Sequence, residues 1–109
     1  MINQNVLKAL NTQLNMEFYS AYLYLSMSNF FSKHGFIGFS KWMLEQAREE
    51  KEHAMDFFNY IKNRNGDVEL LNISAPPAIW NSAKDVFEES LVHEKNVTTA
   101  IHSIAKIAQ

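Results

Sequence analysis

The chain has 109 residues, of which 47% are hydrophobic and 20% are charged, and this composition is typical of one folded globular domain. The formal net charge of −2 gives no electrostatic basis for binding nucleic acid or an anionic membrane, and the absence of cysteine excludes disulfides and thiolate metal sites. The first residues lack the pattern of a signal peptide and no stretch approaches about 18 apolar residues, so we expect a cytoplasmic protein without a membrane span.

The first predicted helix covers residues 4–33. Five mostly apolar residues lie at the three-, four- and seven-residue spacings of one helix face, and they are Leu10, Leu14, Ala21, Leu25 and Ser28. We expect Gly35 to end this helix in the left-handed conformation that favours glycine. The second predicted helix covers residues 37–63, and its apolar face comprises Phe39, Met43, Ala47, Ala54, Phe57 and Ile61. Because a short loop joins the two helices, they should pack antiparallel.

A long connection at 66–82 follows the second helix, which the pair Asn65-Gly66 should end. Pro76 and Pro77 forbid a helix in this connection and favour an extended path. Its length fits a crossover along the whole bundle, after which the third helix would run parallel to the second; the alternative is a flexible linker.

The third predicted helix covers residues 82–108. Ser82 and Asp85 have the spacing of a capping pair at its start. Its apolar face comprises Phe87, Leu91, Val97, Ile101, Ala105 and Ala108. The sequence therefore predicts an all-α, up-down helical bundle with one long crossover, formed by a single domain at 1–109.

One glutamate lies on the apolar face of each predicted helix. These residues are Glu17, Glu50 and Glu94, and His53 shares the face of Glu50 because it follows three residues later. One such glutamate alone would more often reach solvent. An unpaired buried carboxylate costs on the order of several kcal/mol, and no lysine or arginine falls on these faces to neutralise three of them. A bound cation resolves this conflict, and the carboxylate and imidazole ligands suit Fe(II), Mn(II) or Zn(II).

The neighbouring polar residues are interpreted differently. Arg48 and Glu52 have the spacing of an ion pair on a solvated face, and the same interpretation is weaker for Glu49. Tyr24 lies two turns after Glu17, where it either hydrogen-bonds a metal ligand or packs in the core. Three further histidines are interpreted as surface or cap residues rather than ligands: His34, His93 and His102.

These motifs resemble those of the bacterial non-haem ferritins. The resemblance covers the whole chain and is carried by LNMEFYSAYLYLSMSNF at 14–30, QAREEKEHAMDFFNYI at 46–61, ISAPP at 73–77 and VFEESLVHEKNVTTAI at 86–101. An isolated E-x-x-H motif would be a weak signal. Its combination with an earlier glutamate and a later H-E pair, in the family's order and spacing, is specific.

The resemblance implies a ferritin-like fold and an iron-storage protein with ferroxidase activity, in which a dinuclear centre oxidises Fe(II) to Fe(III). By matching positions, Glu17, Glu50 and His53 would hold the first iron. Glu50 would bridge to a second iron, which Glu94 would hold.

Further roles follow from the same resemblance. Glu49 would be a ligand of an accessory third iron, and Tyr24 would stand beside the dinuclear centre as an electron donor. O₂ or peroxide would be the oxidant, and Zn²⁺ or Mn²⁺ could replace iron as surrogates. The resemblance implies a homo-oligomer that forms a hollow shell, and the net charge of −2 predicts no nucleic-acid or membrane partner.

The sequence departs from the family at its C-terminal side. Family chains are longer, and their fourth bundle helix carries a Q-x-x-E motif that completes the second iron site. We therefore expect three of the usual four bundle helices, no fourth or fifth helix, and an underligated second iron site. The open groove would either bind a second copy or mark the chain as a fragment of a longer product.

The sequence is also compatible with functions other than iron storage. The main alternative is a helical scaffold module that binds metal without turnover. A DNA-binding mini-ferritin is disfavoured because a basic tail is absent, and a di-iron oxygenase or peroxidase would normally need a complete four-helix ligand set.

Overall fold

The computed structural model describes residues 2–108, which form three helices: α1 (Gln4–Lys33), α2 (Ile37–Asn63) and α3 (Ala83–Ala108). Residues 2–108 contain no strand, so the all-α prediction is confirmed. The bundle is elongated, with principal extents of 50 × 21 × 21 Å, because its three helices are long and lie side by side. Within this range no helix combines the length and apolarity needed to cross a lipid bilayer.

The helix ends follow local sequence signals. The Asn3 side chain accepts a hydrogen bond from the Asn5 backbone N–H at 2.7 Å and so caps the start of α1. Gly35 has a φ of 82°, and the Phe36 N–H donates to the Phe31 carbonyl at 2.8 Å, which together form a Schellman motif. The left-handed ending predicted at Gly35 is confirmed.

The crossover at 66–82 is anchored along α1 by two asparagine side chains. Asn11 Nδ2 donates to the Asp67 carbonyl at 2.9 Å, and Asn11 Oδ1 accepts from the Glu69 N–H at 2.8 Å. Asn15 repeats this pattern one turn later with the Glu69 carbonyl and the Leu71 N–H, both at 2.8 Å. The two side-chain amides therefore satisfy backbone N–H and carbonyl groups of the extended segment, as the backbone of a neighbouring β-strand would. The crossover is thus a fixed part of the fold rather than a flexible linker.

Replacing Asn11 with leucine is expected to destabilise the protein by about 1–3 kcal/mol, because it leaves a carbonyl and an N–H of the crossover without partners. Urea denaturation measures the change, and hydrogen exchange should show loss of protection at the Glu69 amide. The matched control is Asn59→Leu at an exposed position of α2, which should change stability by less than about 0.5 kcal/mol. Equal effects of both substitutions would contradict the anchoring role.

The order of contacts along the helices sets their directions. The Phe31 and Phe87 rings lie 5.4 Å apart, and the Ser20 hydroxyl contacts His93 further along α3. As residue numbers increase along α3, the numbers of the contacted residues in α1 decrease. The third helix is therefore antiparallel to α1 and parallel to α2, as predicted. In the described residues no Cα atom of α2 lies within 8 Å of one in α3. The two helices flank α1 and touch through aromatic rings, as where Phe39 meets Phe87 at 5.0 Å.

The core lies where α1 meets its two neighbours, and its central cluster comprises Leu23, Tyr24, Met27, Phe30, Phe31, Met43, Ala47 and Val86. Several predicted core positions are wrong because they are exposed: Leu25, Phe39, Leu91, Ile101 and Ala105. For the residues of α3, the reason is that this helix packs on α1 mainly through Val86, Ser90 and Val97, so Val97 of the predicted face is buried whereas Leu91 and Ile101 are exposed. The side chain of Ala108 lies outside the described residues.

Candidate metal centre

Three ligand-type side chains meet midway along the bundle. Glu17 comes from α1, and Glu50 and His53 come from α2, where their spacing of three places them on one face. Their candidate ligand atoms all lie within 4.8 Å of one another. His53 Nδ1 is 3.8 Å from Glu17 Oε2 and 3.5 Å from Glu50 Oε2. Ligands that each lie about 2.1 Å from one ion are about 3–4 Å apart, so this geometry fits a metal ion.

The two carboxylates of this group are buried. Glu17 is 0% and Glu50 is 5% exposed, and one oxygen of each, Oε2, has no hydrogen-bond partner. These are the only buried side-chain nitrogen or oxygen atoms in residues 2–108 that lack a partner. Because buried polar atoms are nearly always hydrogen-bonded, two unpartnered oxygens beside one imidazole fit a site for a cation.

Burial raises the pKa of Glu50 to about 9, and the neighbouring carboxyl of Glu17 is the next largest cause. The nearest arginine in sequence does not offset this effect. Arg48 is exposed and pairs with Glu45 and Glu52 on the outer face of α2. The predicted Arg48–Glu52 pair is therefore confirmed. The raised pKa favours the protonated form of Glu50 at neutral pH in the absence of metal, whereas a metal ligand must be a carboxylate.

Metal binding at neutral pH is consequently expected to release about one proton from Glu50, and affinity should rise as the pH approaches 9. Titration calorimetry with Zn²⁺ in two buffers of different ionisation enthalpy measures this proton release. Glu50→Gln removes the titrating group and serves as the control. An affinity that does not change between pH 6 and 8 would contradict the protonated state of Glu50.

Glu94, the expected ligand of a second iron, lies near Glu50, whose pKa its charge helps to raise, but not among the three clustered ligand atoms. It is half-buried and accepts a hydrogen bond from the Tyr24 hydroxyl. Its helix lies apart from α2, which explains why the three glutamates do not converge on one point. Burial, and next the Glu94 carboxylate, raise the pKa of Tyr24, so the phenol stays a hydrogen-bond donor at neutral pH. Tyr24 thus fulfils both interpretations, since it packs in the core and also bonds a proposed ligand.

Glu49 and the three histidines other than His53 lie outside the group of ligand atoms. Glu49 is partly exposed. His34 caps α1 and His102 is exposed, as predicted. His93 is not a surface residue, because burial lowers its pKa and its Nε2 lies 2.6 Å from the buried Ser20 hydroxyl. That hydroxyl donates to the Met16 carbonyl, which leaves His93 as the donor to Ser20.

An open groove of about 460 Å³ leads to the ligand group. It runs between α2 and α3, and it is lined by Val6, Leu10, Glu17, His53, Asp56, Phe57, Tyr60, Ile101 and Ile104. The His53 side chain is 55% exposed, so it does not share the core with Glu50 as expected but faces solvent beside the carboxylates. An ion can therefore reach His53 from solvent before it meets the buried oxygens.

Gln13 was missed by the sequence interpretation. It is 1% exposed, and its Nε2 donates to Glu17 Oε1 at 2.9 Å. A signal was present, because Gln13 lies four residues before Glu17 and therefore on the same helix face. That signal is weak, because an uncharged amide on an apolar face is less costly to bury than a carboxylate and so does not by itself indicate a site.

Known proteins are similar to this chain in sequence and in fold. A family model described as ferritin-like domain matches residues 7–109. The bacterial non-heme ferritin of Staphylococcus aureus (strain USA300) is 34% identical over the whole chain, which spans 66% of that relative. The bacterial non-heme ferritin of Bacteroides fragilis (strain 638R) is 37% identical over 99% of this chain and 68% of its own length.

A solved structure of an open pore ferritin from Archaeoglobus fulgidus superposes with a TM-score of 0.95 at 45% identity. The alignment covers 98% of this chain and 65% of that one. The chain thus spans about two thirds of the length of these relatives, and the superposition includes all three helices and the crossover between α2 and α3.

Proposed function

The chain belongs to the ferritin-like domain family, and on this premise we propose that it binds Fe(II) at Glu17, Glu50 and His53 and oxidises it for storage as Fe(III). The observation that carries the proposal is the convergence of two unpartnered carboxylate oxygens on one imidazole. Oxygen and nitrogen ligands without sulfur suit Fe(II), and they also accept Zn²⁺ or Mn²⁺ as surrogates. Iron is the substrate here rather than a resident cofactor.

The side chains favour oxidation by their charge and burial. Two carboxylates stabilise Fe(III) more than Fe(II), because the attraction grows with the charge of the ion and is weakly screened in a buried site. Each Fe(II) gives up one electron. Dioxygen takes two electrons and two protons to form hydrogen peroxide, and peroxide takes two more electrons and two protons to form water. The proton that Glu50 releases on metal binding leaves through the groove.

We assign Glu94 to a second iron, with Glu50 as the bridging carboxylate, and Glu49 to an accessory third iron. Glu94 presents one oxygen to Tyr24 and keeps the other for a metal. Tyr24, a buried phenol beside Glu94, is the proposed electron donor. Assembly into a homo-oligomeric shell and a cytoplasmic location complete the proposal.

The proposal is tested by anaerobic Fe(II) titration followed by stopped-flow mixing with O₂ and, separately, with peroxide. We expect saturable Fe(II) binding, an absorbance rise from Fe(III) within seconds, and a mineral core visible by electron microscopy after repeated additions. Fe(II) that oxidises no faster than in protein-free buffer would overturn the ferroxidase assignment.

A scaffold that binds metal without turnover is the second candidate, and one observation favours it. Glu94 lies outside the ligand group and is already bonded to Tyr24, so the described residues assemble ligands for one ion rather than two. Oxygen-electrode measurements distinguish the two functions. Stoichiometric Fe(II) binding without O₂ consumption supports the scaffold, and two iron atoms oxidised per O₂ support the ferroxidase.

A further inference from the structure

We propose that Gln13 is a positioning residue that determines through which oxygen Glu17 binds metal. By holding Oε1, the Gln13 amide leaves Oε2 as the single free oxygen and keeps Glu17 a monodentate ligand. The inference rests on the proposed metal site at Glu17, Glu50 and His53, and it adds a residue that does not touch the metal itself.

The hydrogen-bond geometry assigns different roles to the two Glu17 oxygens. Oε1 accepts from Gln13 Nε2 at 2.9 Å, whereas Oε2 is unpartnered and lies 3.8 Å from His53 Nδ1. Both side chains project from α1 one turn apart, so the donor approaches from the same helix that carries the ligand. The free oxygen is therefore the one that faces the other two ligand atoms.

Burial makes this arrangement difficult to change. Gln13 is 1% exposed and Glu17 is 0% exposed, so neither side chain can exchange its partner for bulk water. Breaking the bond would leave a buried amide N–H and a second carboxylate oxygen unsatisfied, at a cost of about 1–3 kcal/mol for each group. A metal that binds Glu17 through both oxygens would compete with the Gln13 amide for Oε1, whereas a metal that binds through Oε2 alone leaves this hydrogen bond in place.

The consequence is selectivity among cations. Ca²⁺ takes 6–8 oxygen ligands and often binds carboxylates through both oxygens, whereas Fe(II) suits a mixed set of carboxylate and imidazole ligands. A Glu17 restricted to one oxygen therefore disfavours Ca²⁺. Hydrogen bonds of this kind to a ligating group typically contribute about 10–100-fold in metal affinity.

The test uses Co²⁺ alone as the probe, with the full 109-residue chain and the variants Gln13→Leu and Gln13→Met, both of which remove the donor at similar volume. We expect the Kd for Co²⁺ to rise by about 10–100-fold. The visible ligand-field absorption should weaken as Glu17 adds its second oxygen, and Ca²⁺ should compete more effectively. Gln46→Leu, at a partly exposed position of α2, is the matched control and should leave all three readouts unchanged.

Each outcome is decisive. A folded variant with the parent spectrum and parent Ca²⁺ competition overturns the inference, even where its affinity falls, because a merely structural role would act in that way. A crystal structure of the unaltered protein with Zn²⁺ bound gives an independent answer, since bidentate Glu17 there would also overturn it. If the unaltered chain does not bind Co²⁺ at all, the proposed function, on which the inference depends, would be overturned instead.

Discussion

Replacing His53 with alanine is expected to lower Fe(II) affinity by about 100-fold or more and to abolish rapid Fe(II) oxidation. The imidazole is one of three ligand groups that converge in the described residues, and its Nδ1 lies 3.5 Å and 3.8 Å from the two carboxylate oxygens. Its side chain is 55% exposed, so the substitution removes a ligand without opening the core. Stopped-flow oxidation and anaerobic Fe(II) titration give the two quantities.

His102→Ala is the matched control, because His102 is an exposed histidine on α3, away from the ligand group. Its oxidation rate should equal that of the unaltered chain. Circular dichroism should show equal helix content in both variants. Rapid oxidation that survives in His53→Ala would place the chemistry elsewhere on the protein and would contradict the assignment of the site.

The helix pattern of the sequence was sufficient to place Glu17 and Glu50 in the core. Both lie among apolar residues at spacings of three and four, and the long α1–α2 contact buries the face that this spacing defines. The same residue spacing also places His53 on the helix face of Glu50. It does not predict that the His53 side chain is exposed. Exposure depends on the distance between α2 and α3, which is a tertiary property that no local pattern contains.

Other features depend on partners that the sequence does not identify. The α3 sequence offers two adjacent faces that could be buried, and packing on α1 selects the one with Val86 and Ser90 rather than the one with Leu91. Asn11 is polar but buried, with only 7% of its surface exposed, because its side chain is hydrogen-bonded to backbone groups of residues 67 and 69. A buried polar residue of this kind can be predicted only once the path of the crossover is known.

Replacing Glu50 with leucine is expected to stabilise the metal-free protein by about 1–3 kcal/mol, because it removes a buried polar group that lacks a hydrogen-bond partner. Glu50 is 5% exposed and its Oε2 has no partner, so the native residue leaves part of its polar group unsatisfied. Its raised folded-state pKa adds a pH dependence. The unfolded chain releases this proton near 4.5 and the folded chain near 9, so stability falls as the pH rises through that interval. Urea denaturation in the presence of EDTA measures the difference, which should grow with pH.

Metal should remove or reverse this difference in stability. An ion that binds only the folded protein stabilises it by about 2.7 kcal/mol at 100 times its Kd, and Glu50→Leu forgoes this gain because it lacks a ligand. Denaturation with saturating Zn²⁺ should therefore bring the unaltered chain level with the variant or above it. Glu52→Leu, at an exposed position of α2, should show neither effect. A Glu50→Leu variant that is less stable without metal would mean that the carboxyl has a structural role. The expected crossing of the two stabilities would show instead that this buried carboxyl destabilises the empty fold and stabilises the protein only through the cation it binds.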